Sequence, residues 1–530
     1  MQRFNVRVTM TVFSRKRCRL RMIIPAYPAF NIYSHVAKNT TALGPVCVAT
    51  SVNEMEGWDV EIIDENNYRR YGPKNSLGMP DHEYLQQLRP ADVVGFYGGL
   101  TSTVPRLYEL AKLYKGWGMP TIVGGYHFSV DENIVDGLNK AIDYVITGEG
   151  EENIKELLTC IKERTDPAII KGIAYLKDNK VVQTPSREPI TDFEKFPIPD
   201  FSLVRYAMIN VYPVSRIRGC GSNCEFCMVK GKPRYAPAER LIEQISLLIE
   251  TKNAREFFVV DDLFGQDRVE TIRCCNMLRD YLKKIRKKIN LTVQIRLDRA
   301  KDPELLNAMR EAMIKTVAIG FESPIKEELK AMNKHIKPED MVEMTRVFHK
   351  FGFLIHGMFI FGYPMKEGVD FRMSAKERIK QFKSFINKTR IDTIQVLLTG
   401  PLPGTELRKR LVKQGRVYPL EEIGWEYYDG NFPLFNPDEP LTPEDMQMAA
   451  GKIMGKFYRF RNLFMIGITI LSFPRLIFCL HNIKKSWEDW HREWRNSGIR
   501  FGGWLIMREW RSKFKKDSFM DKLKKVKEII

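Results

Sequence analysis

Cysteine is scarce in this chain of 530 residues: there are nine in 61.8 kDa, and their spacing makes no disulfide framework. No second Cys-x2-Cys and no His-x3-His accompanies the one tight cysteine group, so a closed four-ligand zinc site lacks its other half. The N-terminus lacks the uninterrupted apolar stretch of a secretory signal, because Arg15-Lys-Arg-Cys-Arg-Leu-Arg21 breaks it up. These absences indicate a reducing cytoplasm. Acidic charge is in deficit, with 84 Lys and Arg against 65 Asp and Glu, for a net charge of +19. That excess suits nucleic acid or an anionic membrane surface, and its position along the chain decides between them. Apolar material is not short: 44% hydrophobic residues fill two or three folded domains and exclude a disordered chain.

The informative group is Cys220, Cys224 and Cys227, in Arg218-Gly-Cys-Gly-Ser-Asn-Cys-Glu-Phe-Cys-Met228. Thiolates suit soft metals and iron–sulfur clusters. A [4Fe–4S] cube normally takes four cysteines, so three on one loop leave an iron open to another molecule. This Cys-x3-Cys-x2-Cys loop, with aromatic Phe226 before its third cysteine, resembles that of the radical S-adenosylmethionine (radical SAM) enzymes. The resemblance implies a [4Fe–4S] cluster on the three cysteines and S-adenosylmethionine (SAM) on the open iron. It further implies cleavage of SAM to a 5′-deoxyadenosyl radical that abstracts hydrogen from an unactivated carbon, with electrons from a donor such as flavodoxin or ferredoxin.

Residues 19 to about 165 alternate strand-like and helix-like patterns, which predicts βαβ units in a doubly wound parallel sheet. Glycines cluster where the strands end, at Gly98-Gly99, Gly124-Gly125 and Gly148-Glu149-Gly150. Ligands of such sheets bind outside the carboxyl ends of the strands, where glycine lets backbone approach closely. The pattern resembles the cobalamin-binding domain that precedes many radical SAM cores. On that resemblance Thr101, Ser102, Gly124 and Gly125 contact the cobalamin tail, with His127 close behind. The family's Asp-x-His-x-x-Gly is absent from Pro25–Val36, so His35 reads as an ordinary loop histidine rather than a cobalt ligand. Some relatives bind cobalamin without a protein ligand, and others keep the fold without the cofactor.

The proline-rich stretch Pro185–Pro199 ends the first domain. The organisation expected is a cobalamin-type Rossmann domain over 1–184, a linker over 185–205, a radical SAM partial (β/α)6 barrel over 206–400, a barrel-closing extension over 401–460 and a tail over 461–530. Strands are predicted at Val211–Ile217, Glu256–Val260, Leu291–Ile295, Thr316–Ile319, Ile355–Phe361 and Thr393–Leu398. Their carboxyl ends carry Asp261-Asp262, Arg296, Glu322-Ser323 and the run from Gly357 to Gly362. The resemblance gives these places to the SAM amino group, ribose, carboxylate and adenine. Taken singly, each residue reads better as a strand-end turn or a surface ion pair, and it is the five features in order around the cysteine loop that carry the functional reading. Cys274-Cys275, on a predicted helix over Val269–Tyr281, read as packing residues.

The tail carries an apolar run, Leu463–Leu480, interrupted by Pro474-Arg475, followed by Trp487, Trp490, Trp494, Trp504 and Trp510 among basic residues. The run is short for a span, and tryptophan with lysine and arginine suits a headgroup region. The expectation is a monotopic or peripheral association with the inner face of an anionic membrane. The alternative is an ordinary helical tail packed on the barrel. Nucleic acid ranks lower, since the apolar run has no purpose there. The architecture resembles the group of hopanoid methylases, archaeal tetraether lipid synthases and anaerobic magnesium-protoporphyrin ester cyclases. It implies a radical SAM enzyme acting on a hydrophobic, lipid-like substrate, by cobalamin-dependent C-methylation or else by radical coupling or ring formation. A non-catalytic cobalamin or SAM sensor is the rival from another class.

Overall fold

The computed structural model describes residues 17–69, 71–334, 336–471 and 483–529. Two compact units emerge. The first comprises the chain up to Pro28, Val36–Arg216 and Arg234–Glu256; the second comprises Ala29–His35, Ile217–Pro233 and the chain from Phe257 onward.

The first unit is built on parallel strands β1 (Cys18–Ile24), β2 (Trp58–Asp64), β3 (Val93–Tyr97), β4 (Thr121–Gly124) and β5 (Tyr144–Ile146). Hairpin strands β6 (Ile173–Lys177) and β7 (Lys180–Gln183) extend one edge antiparallel, and β8 (Val204–Arg205) extends the other parallel to β2, in the order β7-β6-β5-β4-β3-β1-β2-β8. β1 and β2 are buried almost throughout, as expected of strands with both faces covered. Arg21 is tolerated at 0% exposure because the register sets it opposite Glu61, whose carboxylate accepts from Arg21 Nε at 2.8 Å.

Short strands β9 (Val211–Val214), β10 (Ile217–Arg218) and β11 (Arg234–Tyr235) come before and after the cysteine loop in the sequence. The sheet of the second unit then follows as β12 (Glu256–Phe264), β13 (Asn290–Ile295), β14 (Ile314–Glu322), β15 (Leu354–Phe361) and β16 (Thr393–Leu398), neighbours in that order. Burial alternates along β12, β13, β15 and β16, so one face packs under helices while the other is only half-buried. Two strands outrun the expectation. β12 continues through Asp261 and Asp262 to Phe264, and β14 through Gly320 to Glu322. Cys274 and Cys275 are buried in the helix Arg268–Ile285, as packing residues should be.

Helices Arg461–Leu471, Ile483–Phe514 and Phe519–Ile529 form the tail. The part of the apolar run beyond Leu471 lies outside the described residues. Among the described residues no helix is long and apolar enough to cross a membrane. Much of the tail packs: Met507, Trp510, Phe519, Leu523 and Val526 are buried, and Asn496 Nδ2 donates to Asp392 Oδ1 at 2.7 Å. A row of apolar side chains stays exposed, namely Phe464 at 61%, Ile468 at 57% and Leu471 at 79%.

Candidate active site

The cysteine loop is shaped by two left-handed glycines, Gly219 (φ 88°) and Gly221 (φ 68°), and a Cβ on Gly219 would stand 2.8 Å from the carbonyl oxygen of Lys232. Three groups fasten the loop to β12 and its end. The Ile217 N–H donates to Asp261 Oδ1 at 2.8 Å, the Gly219 N–H donates to Asp262 Oδ2 at 2.6 Å, and Gln266 Nε2 donates to the Cys220 carbonyl at 2.8 Å. Asp261 and Asp262 therefore hold backbone of the loop.

Cys220, Cys224 and Cys227 are free, half-buried thiols. Burial pushes the Cys224 and Cys227 thiols up, and the Lys334 ammonium opposes this at Cys224. Among the described residues no three His, Cys, Asp or Glu side chains gather around a point that would hold one metal ion. Three thiols on one loop suit a [4Fe–4S] cluster, whose thiolates each bind a separate iron. Phe226 packs edge-on to Tyr363, with ring centroids 6.1 Å apart.

At the end of β14 the register shifts between Gly320 and Glu322, and Glu322 has φ 61°. This bulge turns the carboxylate back over the strand, where a Cβ on Gly320 would stand 2.4 Å from Glu322 Oε1. Lys334 Nζ meets the same oxygen at 2.9 Å. The carboxylate and Cys224 hold the Lys334 ammonium above its ordinary range despite burial. Glu322 and Lys334 thus form an ion pair whose charges act on the Cys224 thiol of the cysteine loop. Gly362 ends β15 with φ 75°, and a Cβ there would stand 2.7 Å from Met446. Arg296 is half-exposed and paired with Asp298 at 2.5 Å. Ser323 and Gly357 sit elsewhere. Ser323 is fully buried, with its hydroxyl on Glu328 and the Ile325 N–H, and Gly357 lies on the helix-covered face of β15 against Ile391.

The half-buried face of the sheet carries Met358, Ile360 and Leu397, with a polar group toward the other end. His356 Nδ1 lies 2.9 Å from Thr393 Oγ1, and Gln395 Nε2 donates to the Tyr33 hydroxyl. Burial lowers the His356 pKa, so the ring is neutral. The sequence reading missed this group, along with Lys334 and Tyr363.

In the first unit the glycine turns converge. A Cβ on Gly125 (φ 124°) would stand 2.6 Å from Gly98 C and from Gly99 N, so the two turns touch backbone to backbone. Thr101 and Ser102 are buried beside them, and His127 is fully buried with Nδ1 3.4 Å from Thr101 Oγ1. Ridges of bare backbone at strand ends fit a long polar tail such as that of cobalamin. His35, expected on a loop, instead lies in the short helix Ser34–Ala37 and groups with the second unit, its Nδ1 3.7 Å from Glu509 Oε2.

Residues 214–377 match the radical SAM superfamily, and residues 32–158 match the B12 binding domain. The chain is a radical SAM enzyme with a B12-binding domain. Its cofactors are a [4Fe–4S] cluster, SAM and cobalamin. The enzyme is similar to an uncharacterized methyltransferase of Pyrococcus horikoshii, at 28% identity over 78% of this chain and 87% of the relative. It is also similar to the hopanoid C-2 methylase of Rhodopseudomonas palustris, at 26% over 74% and 71%. The anaerobic magnesium-protoporphyrin IX monomethyl ester cyclase of Rubrivivax gelatinosus matches at 23% over 71% and 67%. Among solved structures, the cobalamin-dependent SAM radical enzyme OxsB shares the fold, with TM-score 0.62 and 15% identity over 96% of this chain and 84% of that one. The radical SAM methyltransferase TsrM from Kitasatospora setae does so with TM-score 0.59 and 17% identity over 75% and 78%.

Proposed function

We propose that this enzyme C-methylates an unactivated carbon of a hydrophobic, lipid-like substrate at the inner face of a membrane. The observation that carries the substrate class is the apolar row Phe464, Ile468 and Leu471, exposed on a helix that leads into the rest of the apolar run. Met358, Ile360 and Leu397 on the half-buried sheet face support it, since they suit a hydrocarbon chain, and the group around His356 and Gln395 suits one hydrogen-bonding end. Glu322, with Lys334, is offered to the ribose or ammonium of SAM, Arg296 to its carboxylate and Gly362 to its adenine. When bound, the cluster supplies the electron that splits SAM, and cobalamin supplies the methyl carrier. Electrons come from a reducing carrier such as flavodoxin or ferredoxin.

The test is anaerobic reconstitution with iron, sulfide and hydroxocobalamin, then incubation with SAM, dithionite and a lipid extract. The expected products are 5′-deoxyadenosine, S-adenosylhomocysteine and a lipid heavier by one methylene, all absent for Cys224→Ala. Deoxyadenosine without S-adenosylhomocysteine, with a product that has lost hydrogen, would replace methylation by coupling or ring closure. Membrane association is read by pelleting with phosphatidylglycerol vesicles. Full-length protein that stays in the supernatant would end that part of the proposal.

A further inference from the structure

Between the second and third cysteines stands Glu225, a carboxylate only 4% exposed. Its Oε1 accepts from Arg410 Nε at 2.8 Å and meets Lys366 Nζ at 2.7 Å. Its Oε2 accepts from the Tyr363 hydroxyl at 2.6 Å and from Arg410 Nη2 at 3.1 Å. The backbone joins in, since the Leu407 N–H donates to the Glu225 carbonyl at 3.1 Å. Arg410 also donates to the carbonyls of Met365 at 2.8 Å and Pro364 at 3.2 Å. One residue of the cysteine loop thus ties together the turn after β15 and the helix Glu406–Lys413. A buried carboxylate is costly unless its lone pairs are satisfied. Here four donors converge on it from chain segments more than a hundred residues away.

The other side of the loop is fixed by Asp261, Asp262 and Gln266. Between Cys224 and Cys227 the fixing falls to Glu225. Partners of this kind orient ligands and tune the potential of what they hold.

We infer that Glu225 is a positioning residue for the cluster, locking the cysteine loop to the C-terminal extension so that cluster retention and reduction potential depend on Tyr363, Lys366 and Arg410. This rests on the loop holding a cluster, and not on which carbon is modified. Glu225→Gln removes one negative charge while both cations stay, so the potential should rise. Glu225→Asp keeps the charge but shortens the reach, so it should leave the potential near that of the unmodified protein while loosening the loop.

The experiment reconstitutes the full chain and the variants Glu225→Gln, Glu225→Asp and Tyr363→Phe. It compares far-UV circular dichroism, iron per chain, iron release to a chelator and the potential from EPR-monitored titration. Glu225→Gln should keep its circular dichroism, release iron about tenfold faster, as for other second-layer ligand partners, and titrate at a higher potential. Iron release and potential unchanged in Glu225→Gln would overturn the inference. If that variant does not fold, Tyr363→Phe decides by iron release: it keeps the Glu225 charge, so its potential should stay near that of the unmodified protein while iron leaves faster, and unchanged iron release would overturn the inference. Unmodified protein that takes up no iron would overturn the cluster assignment of the loop, and this inference with it.

Discussion

Glu322 adopts a left-handed backbone that costs a side-chain-bearing residue about 1–2 kcal/mol. Such a conformation persists where the surroundings demand it, and here the bulge aims a carboxylate at Lys334 beside the cluster loop. Glycine at this position would relieve the backbone while removing the carboxylate. Glu322→Gly should therefore melt within a few degrees of the unmodified protein, strain relief offsetting the lost ion pair. Its SAM cleavage, followed as 5′-deoxyadenosine, should fall at least about tenfold, equivalent to roughly 1.4 kcal/mol. A variant that keeps full activity would make Glu322 a turn residue only. Ser323 provides the contrast. Its hydroxyl serves Glu328 and the Ile325 N–H, so Ser323→Ala should cost stability through an unsatisfied Glu328 rather than affinity for SAM.

Among elements, the edge strand β16 shows how the open barrel is finished. Tyr458 both donates to the Ile394 carbonyl at 2.7 Å and accepts from the Ile394 N–H at 2.8 Å, closing an edge that would otherwise be exposed. Tyr458→Phe leaves both backbone groups without that partner and should cost about 1–3 kcal/mol, seen as a lower Tm. The tail needs a similar distinction. Cutting the chain near residue 460 would strip Trp510, Phe519, Leu523 and Val526 from their buried places, so lost vesicle binding would be confounded with lost stability. The triple change Phe464→Ser, Ile468→Ser and Leu471→Ser touches exposed side chains alone. It should abolish pelleting with phosphatidylglycerol vesicles at unchanged Tm. Elements of this kind were legible in the sequence to different degrees. The alternation of strand and helix, the cysteine loop and the glycine turns are local patterns, and all three are where the spacing put them. Glu225 was not legible, because its partners Tyr363 and Arg410 lie 138 and 185 residues away and no period connects them. Nor was the bulge at Glu322, since Ala-Ile-Gly-Phe-Glu-Ser reads as a strand simply ending. The tail misled in part. Tryptophan among basic residues has the same composition whether it faces lipid or, as Trp510 does, a protein core.

At the scale of the whole molecule, two buried carboxylates contribute a pH dependence opposite to that of an ion-paired acid. Asp429 is pushed up to about 7 by burial, even though the Asn431 backbone and side-chain amides both donate to it, at 2.8 and 2.9 Å. Burial likewise raises Asp64 to about 6. In the unfolded chain both titrate near 3.9. Between about pH 4 and the folded values the native state therefore holds more protons than the unfolded one, and stability falls as pH rises, levelling off above about pH 7. Glu65 acts in the opposite sense. Hydrogen bonds from His82 and Arg106 outweigh its burial and lower it to about 2, so its contribution is lost as pH falls from about 4 toward 2. The summed contribution of these three carboxylates is accordingly largest near pH 4–5. Asp429→Asn keeps the shape and removes the titration. It should raise Tm at pH 8, where the carboxylate is charged in the folded state, by the equivalent of up to about 4 kcal/mol. At pH 4.5 it should leave Tm nearly unchanged. Equal shifts at the two pH values would mean that the change acts through packing, and that Asp429 is not the group whose ionisation weakens the fold.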